Sequence, residues 1–201
     1  PLPCRASSGA QERGGELRNL LSVSGAHELL RMQSILDLLA GRPLYHFTDR
    51  RNLPSIRAHG LLSLRTCERR GLIIPIPGGD QTTQDSDRVF GRDRYVHLCI
   101  PRFHRREYKL TQEGNFRSCW VEVSPDVLWT SGVKFRSRTA DRTDAVLIDA
   151  AAAASEIPWR LLLAFKKEQS SKETWLQFLA ASMAEVLIPD AIDVSLLRGT
   201  A

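Results

Sequence analysis

Apolar residues recur at helical spacing near the start of the chain: Leu17, Leu20 and Leu21, then Leu29, Leu30, Ile35, Leu36, Leu38 and Leu39. Ser24-Gly25 interrupts the run, so the pattern predicts two helices. Gly41 and Pro43 end the second. Ahead of them, residues 1–16 carry Gly, Ser and charge without an apolar period, the signature of a disordered segment. The period then changes. Residues 44–48 read as a strand, and Asn52 is placed to N-cap a short helix with Pro54 in its first turn. Gly60 follows as the natural stop. Residues 64–70 predict a further turn of helix. The prolines and glycines of Ile73-Ile74-Pro75-Ile76-Pro77-Gly78-Gly79 predict an open loop that runs to Asp87.

In the second half, residues 95–100 and 119–123 read as strands, the latter with clean alternation. Residues 127–129 and 133–135 continue the β pattern around Gly132. Residues 145–154 are ambiguous, because Val146-Leu147-Ile148 suggests strand and the alanine run suggests helix. Residues 159–166 have no clear period, 174–181 predict a helix and 186–188 a late strand. A polar tail starts at Ser195. There is no internal repeat. Helices and strands mix without βαβ regularity, so the predicted class is α+β. The predicted organisation is an extension over residues 1–42, partly disordered and then helical, followed by one domain over residues 43–201.

Composition adds bounds rather than detail. At 201 residues, 42% hydrophobic and 25% charged, the chain can bury a core of its own. No run approaches the ~20 apolar residues of a membrane-spanning helix. The first fifteen residues lack a signal-peptide core, and the absence of an initiating Met fits a processed product or an excised part. Cys4, Cys67, Cys99 and Cys119 show no CxxC or metal-ligand spacing, which argues against zinc. Cys99 and Cys119 sit in apolar runs, as reduced core thiols do, so a cytoplasmic location is expected. The net charge of +5 is a weak pointer to an anionic partner.

Three features carry candidate chemistry, each with a plainer alternative. His46 and Thr48 lie two apart on a strand that ends at a helix. They either wall a pocket that binds a ribose or amide, or pack in the core. Glu185 heads an apolar strand, where it either faces water or serves a cleft as an acceptor or base. Between residues 88 and 109, seven cations (Arg88, Arg92, Arg94, Arg102, Arg105, Arg106, Lys109) interleave with Tyr95, Phe103 and Tyr108. Single-strand binders combine charge and stacking rings in this way; a solvated turn would look the same. No GK[ST] follows Gly78-Gly79, and HExxH and GxSxG are absent.

These motifs together resemble the DarT family, the DNA ADP-ribosyltransferase toxins of bacteria. The resemblance rests on Tyr45-His46-Phe47-Thr48, Asn52-Leu53-Pro54-Ser55-Ile56 and His59-Gly60-Leu61-Leu62-Ser63. Tyr95-Val96-His97-Leu98, Gly132-Val133-Lys134-Phe135 and Ala184-Glu185-Val186-Leu187-Ile188-Pro189 support it, over about residues 43–198. It implies an ADP-ribosyltransferase-like fold in which two small mixed or antiparallel sheets, flanked by helices, form a cleft for NAD. It also implies transfer of ADP-ribose to a base of single-stranded DNA, a toxin or defence role, a macrodomain antitoxin, and neither metal nor membrane. RNA or protein as acceptor, and a non-catalytic nucleic-acid-binding module, remain as alternatives.

Carried over residue by residue, the resemblance makes Glu185 the catalytic glutamate. His46 and Thr48 become NAD contacts, with Asn52 and Ser55 beside the same pocket. The family's catalytic arginine precedes the mid-chain strand, which selects Arg88, with Arg92 second. Arg102, Arg105 and Arg106 are the candidates for nucleic acid. This chain departs from the family with Cys99 or Ile100 in place of an aromatic, with Ser182-Met183 before the glutamate, and with Thr139-Ala140 for an Asn-Ala pair. The departures bear on the target base more than on the use of NAD.

Overall fold

The computed structural model describes residues 23–79, 81–137 and 146–200. The helix expected near Leu17–Leu21 and the Thr139-Ala140 pair fall outside these residues. In chain order the elements are α1 (Val23–Leu39), β1 (Leu44–Asp49), α2 (Leu53–His59), β2 (Leu61–Leu62), α3 (Leu64–Arg69), α4 (Gln81–Val89), β3 (Tyr95–Cys99) and α5 (Arg105–Gln112). There follow β4 (Ser118–Val123), β5 (Lys134–Arg136), α6 (Ala150–Glu156), α7 (Trp159–Ala164), α8 (Lys172–Ala181), β6 (Glu185–Pro189), β7 (Ala191–Ile192) and β8 (Leu197–Thr200).

The fold is α+β with two antiparallel sheets of unequal size. The larger has the order β5-β6-β3-β1-β4-β8, and the smaller pairs β2 with β7. The register of the larger sheet places Tyr45 opposite Cys99, Cys99 opposite Glu185, and Glu185 opposite Arg136. Directly opposed residues share a face, so this row carries Glu185 and Arg136 on one side of the sheet. The alternate row of Leu98, Val186 and Phe135 is fully buried in the core with Ile188, Val121 and Val123. Met32, Ile35 and Leu39 of α1 close that core along one stripe.

Several expectations are corrected. Val23–Leu39 is helical from Val23, so Ser24-Gly25 lies inside its first turn rather than ahead of it, and the helix packs on α6. The loop expected through Asp87 is helical from Gln81 onward; α4 has no buried residue and so no apolar period. Residues 127–129 are not strand. Pro125 starts a 3-10 helix there, with Ser124 capping it. The turn after β3 passes into α5, capped by the His104 ring. The ambiguous stretch divides: Ile148 bridges Phe135, and the alanines form α6. The polar tail forms β8 against β4.

Gly60 has a local duty that fixes the smaller sheet. Its φ is +76, and a Cβ there would lie 2.1 Å from the Ile192 carbonyl oxygen. Only glycine lets β2 reach β7.

Candidate active site

Strands β1 and β3 pair only at Tyr45 and Cys99 and then separate. The His46 ring crosses the gap: its Nδ1–H donates to the His97 carbonyl at 3.0 Å. A cavity of about 580 Å³ opens where the strands part. His46, Phe47 and Thr48 all line it, although neighbours on a strand face opposite ways, because β1 is a free edge there. That volume lies in the range of small-molecule and cofactor sites.

One wall is a strap of residues 72–79, held by side chains rather than by a sheet. Asn52 Nδ2 donates to the Ile76 carbonyl at 2.7 Å and to Thr48 Oγ1 at 3.0 Å. Its Oδ1 accepts from the Ile76 N–H at 3.1 Å. The expected N-cap bond from Asn52 to α2 is therefore absent, since the amide is spent on the strap. Arg106 Nε donates to the Gly78 carbonyl at 2.8 Å, and Gln84 Nε2 to the Gly79 carbonyl at 2.9 Å. Ser55, on α2, also lines the cavity.

Glu185 lies at the head of β6, 6% exposed and facing the cavity. Its Oε2 is 2.7 Å from Arg136 Nη2 and 3.0 Å from His97 Nδ1. Among the described residues its Oε1 has one cationic-type partner nearby, His104 Nε2, at 3.7 Å and beyond hydrogen-bond reach. His104 stacks on Phe47 with centroids 5.0 Å apart. Its Nδ1 accepts from the Arg106 N–H, so the ring proton is on Nε2. His104 Nε2 and Arg136 Nε are both buried without a hydrogen-bond partner.

Burial alone would raise the Glu185 carboxyl. The charges of Arg136 and His97 outweigh it and hold the group well below the ordinary carboxylate range. For His97, burial pulls down, but the Glu185 carboxylate wins and the ring is raised. Burial lowers His46, with its bond to the His97 carbonyl opposing. His46 is thus neutral at pH 7 with its proton on Nδ1, which leaves Nε2 as an acceptor. Burial pushes the Cys99 thiol far up, so this cavity-lining sulfur is not a nucleophile.

The structure brings Glu185, His46, Thr48, Asn52 and Ser55 to one cavity. It does not bring Arg88 there. That side chain is 38% exposed and pairs with Glu68 at 2.6 Å and Asp85 at 3.0 Å. Arg92, the second choice, is buried and lines the cavity, held by Asp87 at 3.0 Å and Ser86 Oγ at 3.0 Å. Arg102 and Arg105 are exposed, whereas Arg106 is part of the cavity wall. His97, His104 and Arg136 escaped the sequence reading. His97 and the residues just before Arg136 sit inside motifs already singled out, but strand register alone ties them to Glu185. Among the described residues no set of His, Cys, Asp and Glu is grouped to hold a metal ion, and no helix is long and apolar enough to cross a membrane.

A cavity of cofactor size lined by an ionised, cation-held glutamate fits the class the family match gives, an NAD-dependent ADP-ribosyltransferase. The family model described as "ssDNA thymidine ADP-ribosyltransferase, DarT" matches residues 45–201, and the chain belongs to that family. It is accordingly a transferase that attaches ADP-ribose to a base of single-stranded DNA.

Solved structures share the fold. Thermus sp. 2.9 DarT in complex with ADP-ribosylated ssDNA is 14% identical with a TM-score of 0.60, over 80% of this chain and 81% of that one. The same protein in complex with NAD+ is 15% identical with a TM-score of 0.53, over 80% and 81%. Thermosipho africanus DarTG in complex with ADP-ribose is 17% identical with a TM-score of 0.59, over 79% of this chain; the chain spans only 43% of that longer protein. Comparison with curated proteins gives no match.

Proposed function

We propose that NAD lies along the cleft with its nicotinamide ribose at Glu185, and that the acceptor is a thymine of single-stranded DNA. The observation that carries the reading is a buried carboxylate kept ionised in the wall of a cavity of cofactor size. The nicotinamide–ribose bond breaks with its electron pair leaving on nicotinamide, and positive charge builds at the ribose anomeric carbon. Glu185 Oε1 accepts from a ribose hydroxyl and opposes that charge, an interaction strongest in the transition state. A ring nitrogen of the base attacks the same carbon, and its proton passes to Glu185 or to water. His46 Nε2 and Thr48 contact the NAD ribose or amide. Ser55 lies beside them, and Asn52 acts through the strap it holds. Arg92 replaces Arg88 as the arginine placed by the reacting groups. A thymine must leave its stack to reach Glu185, which suits a single strand.

A toxin role, a macrodomain antitoxin that reverses it, and action in a reducing cytoplasm rest on the family alone. Incubation with labelled NAD and single-stranded DNA, single-stranded RNA or no polymer tests the reading, with mass analysis of the modified nucleoside. Label on thymidine is expected in wild type and at least ~100-fold less in Glu185→Gln. Label on RNA alone, or full transfer by the variant, overturns it.

A further inference from the structure

The catalytic carboxylate is held asymmetrically. Both strong partners of Glu185, Arg136 and His97, reach the same oxygen, Oε2. Among the described residues Oε1 has only the more distant His104 Nε2, at 3.7 Å. His97 itself lies between two acceptors: Nδ1 is 3.0 Å from the carboxylate, and Nε2 is 3.4 Å from the Arg92 carbonyl oxygen. Neither acceptor has a proton to give, so both ring nitrogens are placed to donate, and only an imidazolium donates from both. His97 is two residues from Cys99 on β3, and Cys99 opposes Glu185, so sheet register sets the contact. Arg136 approaches from the other neighbouring strand, directly opposite Glu185. The carboxylate is thus gripped from both sides within one sheet.

From this geometry we infer that His97, as an imidazolium, and Arg136 are positioning residues that clamp Glu185 through Oε2 and reserve Oε1 for the substrate, so that transfer falls when His97 loses its proton. The inference rests on Glu185 being the carboxylate that acts on ribose. Free rotation of a carboxylate would offer either oxygen, and neither in a fixed place; placement within a fraction of an ångström is what an oxocarbenium-like state requires. The clamp also links rate to pH. The groups that face His97 are Glu185 on β6, Arg136 on β5 and Asp87 at the end of α4, with the His46 ring on its backbone carbonyl. Glu185 and Asp87 favour its charge and Arg136 opposes it, after burial, which opposes it too. The balance leaves His97 above the ordinary histidine value, so the clamp opens as pH rises through that raised value.

The test is the pH profile of kcat for ADP-ribosylation of a single-stranded oligonucleotide, in wild type, His97→Asn, Arg136→Lys and Arg136→Met. Asparagine keeps one donor near Oε2 but does not titrate. His97→Asn should lose the alkaline limb and lower kcat about 10-fold at neutral pH, with KM for NAD little changed. Arg136→Met should move the acidic limb upward by about one unit or more, because the cation that holds Glu185 ionised is gone. Arg136→Lys should restore most of that shift. Should Arg136→Met fail to fold, the lysine and asparagine variants still decide. Histidine ring NMR gives a readout independent of turnover: in Glu185→Gln the pKa of His97 should drop. An unaltered alkaline limb and kcat in His97→Asn, or an unmoved His97 pKa in Glu185→Gln, overturns the clamp. A Glu185→Gln enzyme with full turnover would instead remove Glu185 from the reaction, a different failure.

Discussion

His46 shows how one side chain serves fold and chemistry together. Its Nδ1–H replaces the ladder bond that β1 and β3 lose as they part, and this fixes the tautomer that offers Nε2 to a ligand. His46→Ala should raise KM for NAD and remove the thermal stabilisation that NAD gives, with a smaller effect on saturated turnover. Unchanged NAD affinity would make His46 a packing residue. Asp49, fully buried on the same strand, accepts from the Arg51 N–H, the Arg51 guanidinium and the Arg117 N–H. Its bond with the Arg51 side chain is the main reason its carboxyl lies far below the ordinary range. A depressed carboxyl stabilises the fold above its unfolded pKa of about 3.9, and that stability is lost as pH falls below it. Asp49→Ala should cost roughly 2–3 kcal/mol at pH 7, read by denaturant unfolding, and much less at pH 2. His46, Thr48 and Glu185 were legible because each is marked by its neighbours in sequence. His97 was not, because its partner Glu185 lies 88 residues away and register alone joins them.

At the scale of elements, the strap of residues 72–79 forms one wall of the cavity. Among the described residues it joins no strand; the Asn52 amide, Arg106 of α5 and Gln84 of α4 hold it, and the Leu72 N–H donates to the Cys67 carbonyl of α3. Asn52→Ala removes both bonds to Ile76. Limited proteolysis should then cut within the strap faster than in wild type, and KM for NAD should rise while the rest of the fold persists. Equal cleavage would leave the strap anchored elsewhere. Gly60→Ala acts on the smaller sheet. A methyl group 2.1 Å from a backbone oxygen cannot be relieved by a side-chain rotation. A loss of at least about 2 kcal/mol is expected from unfolding. The elements most readable from sequence were those with an apolar stripe or alternation: α1, β1, β3, β4, α8 and β6. Helix α4, a polar surface helix, has no such stripe. Strand β8 is defined by backbone bonds to β4 that leave no side-chain pattern.

For the whole molecule, charge decides how a polymer arrives. Arg102 and Arg105 are exposed near the start of α5, while Arg106 points back to the strap. If the exposed pair tracks phosphates, oligonucleotide modification should fall steeply with salt. Reversal of Arg102 and Arg105 to Glu should weaken DNA binding and flatten that salt dependence, without changing NAD hydrolysis in the absence of DNA. Fluorescence titration at two salt concentrations checks it, and wild-type DNA binding by the double reversal would make the segment a solvated turn. Stability should also follow the Glu185–His97 pair. Glu185, lowered, contributes above its unfolded pKa. His97, raised, contributes below its own and loses that contribution as pH rises through the folded value. Both hold only between the ordinary glutamate range and a point above the ordinary histidine value, and Glu185→Gln should flatten the profile of melting temperature across that window.

By itself the sequence determined the fold class and the family, and it singled out Glu185 as the candidate carboxylate. Those depend on local signals: period, caps, turn residues and short motifs around Tyr45 and Glu185. Only the tertiary structure decided which arginine enters the cleft, which side chains hold the strap and what keeps Glu185 ionised. Arg88 and Arg92 lie four residues apart, both beside acidic neighbours, and no local signal ranks one above the other. Burial does, since Arg92 is enclosed beside Asp87 while Arg88 faces solvent beside Glu68. Arg136 reaches Glu185 because β5 and β6 pair in one register out of several that the chain could have adopted. A one-residue slip would turn Arg136 to the core face and leave the carboxylate without its cation.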